Sequence, residues 1–281
     1  MMRKRYLFKF YYIGSSKFFG SQRQMSETTI ESCLIKALQD KNYIHDLKNS
    51  NFEVASRTDK FVSARGAVFS SVLEKEPILM EINSALPKDI GLWAYSIVPK
   101  DFLSRFNARY RYYKYIFPLP LENQNKLKQL KYDLIKTACT QLEGTHDFKN
   151  FSKRDKQDIK TIRELISAKV NISKKYIIFE FKSKSFLRQQ IRRMVSKILE
   201  LGEGKISYTE FLNLFNSKNY ISYQPANPEG LILWDIDYGN NIKFEIDQKS
   251  VERMSEVFSK LEQKYNLKRL LFKILQHNYI S

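Results

Sequence analysis

The hydrophobic and polar positions fall into two rounds of short blocks. Residues 5–13 are aromatic and apolar, and they predict a strand. Residues 14–20 begin and end in glycine and predict a loop. Ile30, Leu34 and Leu38 then recur at helical spacing behind Thr28 and Glu31, a pattern that reads as a capping box. Strands are expected at 52–56 and 62–73, with a polar turn between them. A short helix at 78–86 is closed by Pro87, and 91–98 suits a strand. The second round opens with a basic, aromatic strand at 107–117. Leu127, Leu130, Leu134, Ala138 and Leu142 line one face of a helix that stops near Gly144. Strands follow at 163–172 and 176–183, then helices at 186–200 (before Gly202) and 207–216, and a strand at 230–238. Residues 247–275 predict an amphipathic helix.

Both rounds share the order strand, helix, strand, strand, helix, although no sequence repeat links them. Strands mixed with helices in this order imply an α+β fold with antiparallel pairing. No Pro-rich or low-complexity linker separates the rounds, so one continuous sheet is expected. The expected division is residues 1–104, residues 105–246 and a helical appendage at 247–281.

Composition adds a core and a partner. At 43% hydrophobic and 14% aromatic, the chain can bury a full core, which excludes disorder for most of it. Lys and Arg number 48 against 30 Asp and Glu, a net charge of +18. Such a surplus points to a polyanionic partner, with a solubility bias towards lysine as the alternative. Cys33 and Cys139 make neither a disulfide framework nor a zinc set, and they fit a reducing, cytoplasmic compartment. No run of about 18 apolar residues exists, so no membrane span is expected. The first ten residues are basic and then apolar, as in a signal peptide, but they alternate and read as a strand.

Four places could carry chemistry. Asp59 lies in the turn Arg57-Thr58-Asp59-Lys60, with Arg65 beyond, and cations hold a carboxylate ionised. An ionised Asp can act as nucleophile or base, yet Asp also commonly shapes turns, and spacing alone favours that plainer reading. The segment 105–115 holds Arg105, Arg109, Arg111 and Lys114 with four tyrosines and no acid. Alternation sends Arg109, Arg111, Tyr113 and Tyr115 one way and Tyr110, Tyr112 and Lys114 the other. Cations hold phosphates and rings stack on bases, so the mixture suits RNA as well as it suits a half-buried strand with a basic edge. Residues 182–197 carry six cations, including Arg188, Arg192 and Arg193, and no acid, beside an apolar stripe of Ile191, Met194, Val195 and Ile198. Arg192 flanks that stripe, and a partly buried Arg requires a carboxylate or phosphate partner. His146 beside Asp147 reads as a structural turn at a helix end, because sequence neighbours seldom face each other productively. His45 and His277 have no companions for a metal, and no phosphate-loop, dinucleotide or zinc-deaminase motif is present, so neither metal nor cofactor is expected.

Taken in order, these motifs resemble the tRNA pseudouridine synthase A family over roughly residues 5–240. The likeness runs through Tyr12-Ile13-Gly14, Phe19-Gly20-Ser21-Gln22-Arg23-Gln24 and Arg57-Thr58-Asp59-Lys60 with Val62-Ser63-Ala64. It continues through Asn83, Leu86-Pro87-Lys88-Asp89-Ile90, Tyr113-Lys114-Tyr115, Gly144-Thr145-His146-Asp147-Phe148, residues 186–195 and Gly230-Leu231. The resemblance implies the pseudouridine synthase fold, in which two related halves share a long antiparallel sheet flanked by helices. It implies a cofactor-free isomerase that converts uridine to pseudouridine near the tRNA anticodon stem-loop, working as a homodimer. Asp59 would be the nucleophile, and Arg192 would pair with it. Tyr113 would stack on the target base and take part in handling its C5 proton, and Arg57 would fill the place the base leaves. Lys60, Arg105, Arg109, Arg111, Arg188 and Arg193 would contact RNA. Phe61 stands where Gly is usual, Ser21 where an aromatic is common, Ile13 where Asp is common and Ser196 where Gly often lies. A non-catalytic RNA-binding or chaperone protein on the same scaffold is the competing expectation. A metal-independent nuclease is disfavoured, because it would want paired His or clustered carboxylates and only three His exist.

Overall fold

A computed structural model describes residues 3–119, 130–154 and 160–276. The first round comprises β1 (Lys4–Tyr12), α1 (Ile30–Asp40), α2 (Leu47–Ser50), β2 (Glu53–Val54), β3 (Ser63–Leu73), α3 (Leu79–Ala85) and β4 (Ile90–Val98). The second comprises β5 (Tyr110–Pro118), α4 (Tyr132–Leu142), β6 (Gly144–Asp147), β7 (Ile162–Ile172), β8 (Tyr176–Ser183), α5 (Gln190–Gly202), α6 (Tyr208–Asn213) and β9 (Leu231–Asp237). A two-residue strand β10 (Glu245–Ile246) and the long helix α7 (Gln248–Gln276) complete the chain.

Most elements lie close to where the patterning placed them, but the helix expected to run through Leu130 begins only at Tyr132, so Leu130 precedes it. The cap of α1 is one residue later than expected. Thr29 Oγ1 accepts from Ser32 N at 3.1 Å, and Ser32 Oγ accepts from Thr29 N at 2.9 Å. Helix α5 begins at Gln190 rather than 186, because Gln189 is left-handed (φ 60°) and the Gln190 side chain accepts from Leu187 N at 2.8 Å. Residues 144–147 pair with β7 as a strand rather than simply ending a helix. Leu127 and His277 lie outside the described residues.

The strands form one sheet in the order β10-β4-β1-β3-β9-β5-β8-β7-β6, with β2 also on β3. Every pairing is antiparallel except β3 with β9, which is parallel at Ser63↔Ile232 and Ala64↔Leu233. The expected antiparallel sheet is therefore mostly so, with a short parallel seam where the rounds meet. Gly66 lies at this seam, and a Cβ there would sit 2.8 Å from the Trp234 carbonyl oxygen. Only glycine allows so close a strand approach.

One large apolar core joins the two rounds. It includes Leu7, Phe8 and Phe69 from the strands, Leu34 and Leu38 from α1, Ile82 from α3, Ala138 from α4, and Met194 and Val195 from α5. Strand β1 is central and is buried from Arg5 to Tyr12, so its alternating side chains need cover on both sides. A second, small cluster of Tyr11, Trp93, Ala94 and Met254 provides it, through the first turns of α7. Tyr11 and Phe258 meet edge-to-face at 5.1 Å. Buried Asn83 ties these parts together, since its amide donates to the Leu92 carbonyl at 2.9 Å and to Ser250 Oγ at 3.1 Å.

Candidate active site

The segment 57–62 runs into β3 at the parallel seam, and the first sequence motif clamps it there. Tyr12 and Thr58 share a hydroxyl hydrogen bond of 2.7 Å. Thr58 N donates to Ser21 Oγ at 2.7 Å, and Ser21 N donates back to the Thr58 carbonyl at 3.2 Å. Gly14 lies against the far side of the loop, where a Cβ would fall 2.3 Å from the carbonyl carbon and oxygen of Phe61. Phe61 itself adopts φ 69°, a left-handed conformation that costs a bulky residue roughly 1–2 kcal/mol. Such a backbone persists only when its surroundings over-determine it, and these contacts do so.

Arg192 reaches this loop from α5, 133 residues away in sequence. Its Nη1 donates to Asp59 Oδ2 at 2.7 Å and its Nε to the Ala226 carbonyl at 2.7 Å. Ala226 N donates to the Arg192 carbonyl at 3.0 Å, so the segment entering β9 fixes the arginine from two sides. The Arg192 side chain is 10% exposed and that of Asp59 is 35%. The guanidinium is thus buried and aimed, while the carboxylate keeps an open side.

Tyr113 is buried on β5, edge-to-face with Phe186 at 5.3 Å. Burial pushes its phenol up to about 12; Arg111 and a Ser56 hydrogen bond oppose the rise, and the Asp59 carboxylate adds to it. The phenol is therefore neutral at pH 7 and lies within electrostatic reach of Asp59. Arg111, Tyr113 and Tyr115 are buried and Tyr110, Tyr112 and Lys114 half-buried, so β5 alternates as the sequence suggested, but Arg109, expected with the first set, precedes the strand and is exposed.

Two cations expected to contact RNA are instead held within the chain. Arg111 is buried and donates to Ser56 Oγ (2.9 Å) and to the carbonyls of Lys184 (2.5 Å), Ala55 (2.9 Å) and Arg105 (2.8 Å). Arg193 is buried, donates to the Tyr223 carbonyl at 2.9 Å and stacks on the Tyr223 ring at 4.1 Å. Arg111 spends four hydrogen bonds on these acceptors and Arg193 is 3% exposed, so neither presents an open face to phosphate. Arg57, Arg105, Arg109 and Arg188 are exposed and form no ion pair among the described residues. Lys60 Nζ sits 3.7 Å from the centre of the Phe19 ring, held over that ring.

The His146-Asp147 pair is built into the fold. His146 Nε2 and the Glu143 carbonyl are hydrogen-bonded at 2.8 Å, and Asp147 Oδ1 accepts from Thr161 Oγ1 at 2.6 Å. Among the described residues no group of three or more His, Cys, Asp or Glu could hold a metal, and no helix is long and apolar enough to cross a membrane. Sequence reasoning did not find the clamp formed by Tyr12 and Ser21 or the anchor at Ala226. Ser21 gave no local signal, since its partner Thr58 lies 37 residues away in sequence.

A family model described as tRNA pseudouridine synthase matches residues 138–239. Curated relatives named tRNA pseudouridine synthase A match over nearly the whole chain. One from Methanosphaera stadtmanae is 34% identical over 261 residues, 92% of this chain and 92% of its own. One from Pyrococcus furiosus is 36% identical over 242 residues, covering 85% of each chain. A third, from Methanothermobacter thermautotrophicus, is 33% identical over 269 residues, 95% of this chain and 92% of its own.

Proposed function

Because this chain belongs to the tRNA pseudouridine synthase A family, we propose that it isomerises uridine to pseudouridine in tRNA with Asp59 as nucleophile. The observation that carries the assignment of the nucleophile is the 2.7 Å contact between Asp59 and Arg192 at the sheet seam. Arg192 fixes the orientation of the carboxylate, and its open side faces the substrate. In the reaction the N1–C1′ bond breaks, the uracil turns, C5 bonds to C1′, the C5 proton leaves and N1 gains a proton. Atoms balance without a redox partner. A neutral Tyr113 contributes its ring as a wall for the base and its hydroxyl as a hydrogen-bonding group.

The target uridine must leave its stack first, at a cost of a few kcal/mol, which favours a loop or stem end such as the anticodon arm. Arg57, exposed beside the nucleophile, fills the gap left by the base. Lys60, Arg105, Arg109 and Arg188 grip phosphates, while Arg111 and Arg193 shape the cleft from beneath. Residues 1–104 and 105–246 act as the two halves that close on the substrate, and 247–281 as an appendage. The enzyme works in the cytoplasm as a homodimer.

The test is tritium release from a tRNA transcript labelled at uridine C5. The wild type releases label, and Asp59→Ala releases none while binding tRNA with unchanged affinity. Equal release by the variant removes Asp59 from the mechanism. No release by the wild type from any tRNA it binds leaves an RNA-binding protein on this scaffold.

A further inference from the structure

Three side chains around Asp59 carry a strain or an exposure that the chemical step alone does not explain. Phe61 is left-handed at φ 69°, a conformation that glycine adopts freely and a bulky residue does not. Phe19 is 40% exposed, although its neighbour Phe18 is buried in the core. Between them in space stands Lys60, with Nζ 3.7 Å from the centre of the Phe19 ring and 5.3 Å from that of Phe61. Lys60 forms no ion pair among the described residues. A glycine at position 61 would relieve the strain, so its persistence beside a reaction centre points to a use for the ring.

The exposed ring stands on a fixed backbone. Phe19 N donates to the Thr28 carbonyl at 2.9 Å, and Gln24 Nε2 donates to the Phe19 carbonyl at 2.7 Å. The next residue, Gly20, lies against the turn itself. A Cβ there would fall 3.1 Å from the Thr58 carbonyl oxygen and 3.6 Å from the Asp59 carbonyl carbon. Gly20, Asp59 and Phe61 also line one recess. Phe19 therefore stands next to whatever lies beside a uridine held at Asp59. An ammonium attracts the face of a ring, so Lys60 steadies Phe19 by one face while much of the ring stays open to solvent, and Phe61 attracts the same ammonium. Rings that stack on bases beside cations that take phosphates are how unpaired RNA is held.

We infer that Phe19, Lys60 and Phe61 form a subsite for the nucleotide next to the target uridine, whose base stacks on Phe19 and whose phosphate meets Lys60, seated by Phe61. The inference rests on the isomerase reading above and adds a specificity element to it. A purine offers the larger face for stacking, so a purine neighbour is favoured over a pyrimidine.

The test pairs the ring with the base it holds. Tritium release is followed on a tRNA that the wild type modifies, and on the same tRNA made abasic at the nucleotide 5′ or 3′ of the target. For the wild type, base deletion on one of the two sides lowers kcat/KM by about tenfold, within the range that loss of one base–ring stack produces. Phe19→Ala loses a similar factor on the intact RNA and nothing further on the abasic one. Phe19→Trp keeps the dependence on the neighbouring base and Phe19→Leu does not, which separates a stacking ring from apolar bulk that merely fills the turn. Phe61→Gly weakens the same dependence. A wild type indifferent to both neighbours, or a Phe19→Ala variant as sensitive to base deletion as the wild type, overturns the subsite and leaves the reaction standing. A wild type that releases no tritium from any tRNA it binds overturns the reaction reading and the subsite with it.

Discussion

Helix α5 turns two arginines inward, whereas the far half of α7 turns seven large apolar side chains outward. Each runs against the simplest reading of an amphipathic helix. In α5 the buried charge is answered, since Arg192 meets Asp59 and Ala226 and Arg193 meets the carbonyls of Tyr223 and Ile221. In α7 the exposed apolar stripe is not answered by its own chain among the described residues. The arginines of α5 can be buried because the chain supplies their acceptors, whereas among the described residues nothing covers the distal side chains of α7.

Substitutions should separate these roles sharply. Arg192→Met leaves the Asp59 carboxylate without its cation and the Ala226 carbonyl without a donor. Single-turnover isomerisation should fall at least about 100-fold, the order seen when a positioned polar group is lost from a reaction centre. Stability should fall by about 2 kcal/mol in denaturant titration, less than for a fully buried pair because Asp59 is one-third exposed. Gly14→Ala forces the loop away from β1, because its Cβ would meet backbone rather than a movable side chain. A displacement near 1 Å costs on the order of 100-fold in rate, with tRNA affinity preserved.

Alkali probes buried phenols in both rounds of the fold. Tyr43, Tyr95, Tyr113 and Tyr115 are all raised to about 12, chiefly by burial. The folded chain holds these protons more tightly than the unfolded one, whose tyrosines titrate near 10. Their contribution is therefore complete below pH 10 and is lost as pH climbs from 10 through 12. Chemical denaturation from pH 7 to 11.5 should show stability declining gently from about pH 9, because burial also raises the Cys139 thiol from 9.0 to about 12, and more steeply once the tyrosines titrate. Phe61→Gly removes left-handed strain but adds unfolded-chain entropy, so stability should change by less than about 1 kcal/mol. The tritium assay should show a higher KM and a nearly constant kcat, as Lys60 loses one of its two rings. The smallest effect is expected in α7, where Leu270→Lys should leave the melting temperature and the rate per site unchanged.

The periodic parts of the fold were legible because a buried face leaves a spacing. Strands β1, β3, β4 and β8 and the stripe Ile191, Met194, Val195 and Ile198 are of this kind. Caps and entries were less legible because they depend on single hydrogen bonds, such as the Ser32 answer to Thr29 and the left-handed Gln189. The parallel seam could not be read, because strand order is set by how distant segments pack and not by their own pattern. Within the site, an arginine flanking an apolar stripe announced that Arg192 needed a partner, and Asp59 is that partner. Arg111 and Arg193 looked like RNA contacts because a charge in sequence does not reveal whether carbonyls wait for it. The clamp on Thr58 was invisible for the same reason, since Tyr12 and Ser21 act through atoms that only folding brings near.

The central claim is that Asp59 and Arg192 act as one unit across the seam. A double-mutant cycle on single-turnover tritium release measures this directly, using Asp59→Asn, Arg192→Met and the pair together in tRNA saturated with enzyme. The account predicts that the double variant is no slower than Asp59→Asn alone, because an arginine that works only through the carboxylate has nothing further to lose. Losses that simply multiply would mean that the two side chains serve the reaction independently, and would contradict it.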